Sequence, residues 1–113
     1  MNFTDYQQQA VTTLSNDHAY GTISAELMSQ ILGLVGESGE VAEKFKKLLR
    51  DNGGMIDETA KAEIAKELGD ILWYVSSVSH CLDISLEDIA HKNLDKVLSR
   101  KARGVTKGSG DNR

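Results

Sequence analysis

The chain has 113 residues, 13 Lys or Arg against 17 Asp or Glu, no proline and one cysteine. That length makes one domain, the composition favours helix over strand, and the lone Cys81 excludes an internal disulfide and points to a reducing, cytoplasmic-type setting. The net charge of −4 divides into an acidic body (6 basic and 15 acidic residues over 1–91) and a basic end (7 basic and 2 acidic over 92–113), a balance that argues against nucleic-acid binding.

The first predicted helix spans about 3–15. Its opening, MNFTDYQQQA, has neither the basic end nor the apolar run of a signal peptide, and no apolar stretch of the chain approaches a membrane span. Ser15-Asn16-Asp17-His18 and Gly21 end it. The second helix starts after a Ser24 cap and runs to about Arg50, with Leu27, Ile31, Leu34, Val41, Phe45, Leu48 and Leu49 in one stripe. Asp51-Asn52-Gly53-Gly54 stops it, because glycine closes a helix in the left-handed conformation. Asp57 or Thr59 caps the third, which runs to about Leu82 with its own stripe of Ile64, Leu68, Ile71, Leu72, Val75, Val78 and Leu82. Ser85 with Asp88 three residues on resembles a capping box for the fourth, which ends near Arg103. The closing GVTKGSGDNR has no helical pattern and reads by composition as a flexible tail.

Two long amphipathic helices joined by a short Gly-containing turn pack antiparallel. The expected fold is therefore all-α: an antiparallel bundle with four helices per chain, two of them long and central. Four helices leave little to cover both faces of the central pair, so the core is expected to be completed by homo-oligomerisation.

The informative feature is a near-repeat. Glu37-Ser-Gly-Glu40-Val41 on the second helix is matched by Glu67-Leu-Gly-Asp70-Ile71 on the third. Acids three apart project on neighbouring bearings, so each pair presents two carboxylates to one point at the rim of its apolar stripe. When the stripes face each other the rims meet, and four carboxylates converge. Such a cluster repels itself unless a cation compensates it, and an all-oxygen donor set without His or Cys suits Mg²⁺, with Mn²⁺ as an alternative. Gly39 and Gly69 each cost a helix interior about 1 kcal/mol relative to alanine, which close helix approach or room for a ligand would explain.

At these residues the sequence resembles the MazG-like superfamily of all-α nucleoside triphosphate pyrophosphohydrolases. The resemblance rests on Gly33-Leu-Val-Gly-Glu37-Ser-Gly-Glu40, on Lys66-Glu67-Leu-Gly-Asp70-Ile-Leu-Trp-Tyr74, on Asn93-Leu-Asp-Lys96 followed by Arg100-Lys-Ala-Arg103-Gly104, and on the ending Gly108-Ser-Gly-Asp-Asn-Arg113. It implies a domain over 1–107 and a Gly-rich, substrate-contacting segment over 108–113. It implies a homodimer or homotetramer that hydrolyses a nucleoside or deoxynucleoside triphosphate to the monophosphate and pyrophosphate. Glu37, Glu40, Glu67 and Asp70 would hold the metal, and Asn93, Lys96, Arg100 and Arg103 would hold phosphate or sugar. Many members carry a further glutamate where this chain has Gly36, so the general base is left open between Glu37 and Glu40. Phosphoribosyl-ATP pyrophosphohydrolase shares the fold and the acid pairs and is the second enzymatic reading. A non-catalytic oligomerisation module is the reading from another class.

Among the other residues, Lys44 and Lys47 read as helix-surface partners of nearby acids. Tyr74 lies near the Glu67 bearing, where it packs in the core or stacks on a base, whereas Trp73 points away. Tyr6 and Gln7 read as surface. His18, His80 and His91 show no metal-ligand spacing. Arg113 offers a bidentate contact to a triphosphate, on glycines that let the backbone come close.

Overall fold

The computed structural model describes residues 1–113, and it contains four α-helices and no strand: α1 (Phe3–Ala10), α2 (Ala25–Asp51), α3 (Glu58–Cys81) and α4 (Leu86–Ala102). Each helix begins where a short polar side chain can take a free backbone N–H. Asn2 Oδ1 accepts from Asp5 N at 2.8 Å, Ser24 Oγ from Leu27 N at 3.0 Å, Asp57 Oδ1 from Ala60 N at 2.8 Å and Ser85 Oγ from Asp88 N at 3.3 Å. Such caps contribute about 1 kcal/mol each. Asp57, rather than Thr59, caps α3.

The helix ends are equally local. After α2, Gly53 and Gly54 take φ of 59° and 75°, and the Gly54 N–H reaches back to the Leu48 carbonyl at 3.0 Å. α1 is shorter than the span of about 3–15 predicted for it. Beyond Ala10 the chain tightens into a 3₁₀ turn, Val11–Thr13, where the Thr12 and Thr13 hydroxyls donate to the carbonyls of Gln9 and Ala10 at 2.7 and 2.8 Å. Threonine back-bonding of this kind competes with the helix ladder.

α2 and α3 form the antiparallel pair expected of them, and their register can be followed residue by residue. Ser77 Oγ donates to Gln30 Oε1 at 2.8 Å. One step along, Gly33 faces the ring of Tyr74, and one step further Glu37 faces Asp70. Each move of three or four residues up α2 is thus matched by the same move down α3. The turn into α4 is fixed by Ser79, one of only two buried residues, whose hydroxyl donates to the Ile84 carbonyl and whose carbonyl accepts from Ile84 N at 3.0 Å.

Within one chain these helices do not close into a bundle. α1 touches none of the other α-helices, and α4 touches α3 but not α2. No apolar side chain is fully buried: Leu32, Val35, Leu72 and Trp73 on the central pair are 59–66% exposed. The radius of gyration is 20.0 Å, against about 13 Å for a compact chain of this length. No helix is long and apolar enough to cross a membrane.

The last ten residues differ from a tail. Arg113 donates to the carbonyls of Val105, Thr106 and Gly110 at 3.2, 3.2 and 2.6 Å, while Arg103 donates to the Arg113 carbonyl at 2.9 Å. Composition could not foresee this, because the order is carried by arginines gathering carbonyls from within the segment.

Candidate metal centre and its surroundings

The register of α2 and α3 brings three of the four predicted acids together. Carboxylate oxygens of Glu37, Glu67 and Asp70 all lie within 4.8 Å of one another. Glu37 and Glu67 are half-buried, and Asp70 is exposed. Glu40, one turn from Glu37 and also exposed, stands outside the trio. The Glu37 carboxyl is pushed above its ordinary range, first by partial removal from water, then by a hydrogen bond shared with Glu67, then by the charges of Asp70, Glu67 and Glu40. Three hard oxygens held this close, with no histidine or thiol among them, fit a hard divalent cation.

One cation of the chain already touches the trio. Lys44 Nζ lies 3.3 Å from Glu67 Oε1, across the helix pair. Sequence reading placed Lys44 on the helix surface with local partners, and that holds for Lys47, which stays 3.9 Å from Glu43 on its own helix. The register supplies the missing signal: Lys44 lies one turn beyond Glu40, on the side that Glu67 faces.

The glycines divide in the same way. A Cβ on Gly33 would lie 2.2–2.8 Å from the Tyr74 ring and hydroxyl, whereas a Cβ on Gly36, Gly39 or Gly69 would meet nothing within 4 Å. Close approach within the chain therefore explains Gly33 and not the two glycines inside the acid pairs. Tyr74 is half-buried, and its ring meets that of Trp73 edge-on, with centroids 5.0 Å apart.

The residues expected to hold phosphate are placed elsewhere. Asn93 is exposed on α4. Lys96 Nζ lies 3.3 Å from Asp111 Oδ1. Arg100, only 8% exposed, donates from Nη2 to the carbonyl of Asp111 at 2.6 Å and more distantly to that of Gly110, with Asp111 Oδ1 at 3.4 Å. Its Nε is buried without a partner. Hydrogen bonds from Lys96 and Arg100 hold the Asp111 carboxyl below its ordinary range. With α4 out of contact with α2, none of these groups joins the acid trio in the same chain. Nor does any histidine.

A family model described as the MazG nucleotide pyrophosphohydrolase domain matches residues 25–105, which hold both acid pairs and all of α4. The chain is also similar to the Gene 37 protein of Mycobacterium phage L5, 45% identical over 109 residues, covering 96% of each chain. That alignment extends over most of the N-terminal arm and into the C-terminal loop, both of which the family model leaves out. No solved structure matches the chain.

Proposed function

The chain belongs to the MazG nucleotide pyrophosphohydrolase domain family, and on that premise we propose that it hydrolyses a nucleoside or deoxynucleoside triphosphate to the monophosphate and pyrophosphate. The observation that carries the proposal is the convergence of Glu37, Glu67 and Asp70 within 4.8 Å at the matched positions of two acid pairs. In this reading Mg²⁺, or Mn²⁺ in its place, is held by these three and by Glu40, which joins by a change of side-chain rotamer.

The bound metal would neutralise phosphate charge and polarise the phosphorus under attack. The residues of the chain do the remainder. Either Glu37 or Glu40 orients a water in line with the bond from Pα to the bridging oxygen and takes one of its protons as the new water-oxygen–Pα bond forms. The bond from Pα to the bridging oxygen breaks, and pyrophosphate leaves with that oxygen and its electron pair. Asn93, Lys96, Arg100, Arg103 and Arg113 hold phosphate or sugar, and Tyr74 borders the base. Residues 1–107 make up the domain, and 108–113 its substrate-side segment.

That α4 makes no close backbone contact with α2 of its own chain supports a reading in which its basic residues meet the acids of a second copy. The uncovered apolar faces of Leu32, Val35, Leu72 and Trp73 favour the same association. A homodimer or homotetramer is the expected assembly, and sedimentation showing an active monomer at micromolar concentration would refute it.

The decisive experiment is on the acids. Asp70→Asn and Glu40→Gln should each lower Mg²⁺-dependent pyrophosphate release by at least about a hundredfold, the scale of a lost Lewis acid, with helicity unchanged. Full activity in either variant would sink the proposed ligand set. Absence of pyrophosphate release across a panel of nucleotides, phosphoribosyl-ATP included, would leave only the non-catalytic module.

A further inference from the structure

The structure assigns to Gly33 a positioning role: it is the seat into which the Tyr74 ring fits, and this seat sets the spacing of α2 and α3 that brings Glu37, Glu67 and Asp70 to one point. The inference rests on the metal reading above and adds a residue to it that is not itself a ligand.

Gly33 lies one turn before Glu37, and Tyr74 one turn after Asp70. The contact between them therefore lies one helical turn from the acids on both helices. A Cβ at Gly33 would lie 2.2 Å from Tyr74 Cε1 and 2.4 Å from Cζ, more than about 1 Å inside ordinary van der Waals contact. The obstruction comes from the distal edge of a half-buried ring, Cε1, Cζ and the hydroxyl, and that ring is backed edge-on by Trp73. A helical tyrosine has few rotamers to choose from. The helices must therefore separate, or the ring must leave its place between them.

Magnitudes decide why this matters one turn away. Mg²⁺ tolerates only a few tenths of an ångström in its bonds to oxygen, at about 2.1 Å. Where the helices give way rather than the ring, a displacement of roughly 1 Å between α2 and α3 is several times that tolerance, and Glu37 sits on one helix while Glu67 and Asp70 sit on the other. Bare positions elsewhere in α2 have no such consequence, since a Cβ at Gly36 or Gly39 meets nothing within 4 Å. The hydrogen bond from Ser77 to Gln30, on the far side of the seat, holds the register without constraining the acids from their own side.

The test is a double-mutant cycle read by Mn²⁺ binding to the full chain, followed by electron paramagnetic resonance, with no turnover required. Gly33→Ala should weaken Mn²⁺ binding by about tenfold or more, the usual scale for groups that orient metal ligands, with far-ultraviolet helicity retained. Tyr74→Phe, which keeps the ring, should bind as the wild type does. In a Tyr74→Ala background the same Gly33→Ala change should have less than about a twofold effect, because the ring it strikes is gone. Near-ultraviolet circular dichroism of the Trp73–Tyr74 pair should change in Gly33→Ala and report the displaced ring. If Gly33→Ala fails to fold alone, the Tyr74→Ala background still decides: a folded, Mn²⁺-binding double variant supports the seat. Wild-type Mn²⁺ affinity in Gly33→Ala, or equal losses in both backgrounds, would overturn the inference alone. Absence of Mn²⁺ binding in the wild type would overturn the metal reading and the inference with it.

Discussion

The acid face of the α2–α3 pair and the basic C-terminal loop each concentrate charge of one sign, yet they reach opposite states. On the acid face the register presses Glu37, Glu67 and Asp70 together with Lys44 beside them, and the Glu37 carboxyl is raised, first by its partial removal from water and then by its acid neighbours. In the loop, Arg100, Arg103 and Arg113 spend their donors on the carbonyls of residues 105–113, and Lys96 and Arg100 share Asp111. The loop supplies its own partners, whereas the acid face calls for one from outside. Three carboxylates against a single lysine make the acid face a candidate ligand site, whereas the loop answers most of its own charge, and that difference separates the two.

Removing one of the two regions gives the larger effect. Deletion of residues 108–113 takes away Asp111 and Arg113 together and leaves Arg100 without its carbonyl partners. If the loop serves the substrate, KM for the triphosphate should rise by about tenfold or more, with kcat falling if the contact tightens as charge develops on pyrophosphate. Unchanged kinetics, with the oligomeric state preserved, would make the loop a purely structural closure of α4 and widen the contrast.

A smaller effect, and one of opposite sign in the two regions, is expected from pH. The folded Glu37 carboxyl titrates above its ordinary value of 4.5, so the folded chain binds more protons than the unfolded one in that interval. The stabilising contribution is complete below the ordinary value and is lost as pH rises through the folded one. Thermal unfolding of the metal-free protein should therefore shift upward on mild acidification, while Mn²⁺ affinity falls over the same window because the ligand must be ionised. Asp111 behaves in reverse. Its folded value lies below the ordinary 3.8, so its contribution is present above that value and is lost as pH falls through the folded one. Hydrogen exchange of the loop amides should reveal that loss, and Asp111→Asn should abolish the pH response of the loop without touching that of the acid face. A loop response that persisted in the variant would assign it to another group.

By itself the sequence determined what is settled within a few residues. Ser24, Asp57 and Ser85 start helices because a side-chain oxygen lies next to a free N–H, and Gly53 and Gly54 stop one because they accept positive φ. It also determined that Glu37 with Glu40, and Glu67 with Asp70, share a helix face, since spacing by three fixes that bearing without reference to the rest of the molecule. Family membership was legible for the same reason, through short motifs at fixed offsets. Only the tertiary structure decided that Glu40 stands apart from the trio, that Lys44 crosses to Glu67, that Gly33 rather than Gly39 or Gly69 answers a close approach, and that the basic end folds on itself. These depend on the relative height of two helices, and a slip of one turn, about 5.4 Å, would bring different side chains face to face without altering any local preference. The height is set by the Tyr74 ring on Gly33 and by Ser77 on Gln30, contacts between residues more than forty positions apart, which no local pattern records.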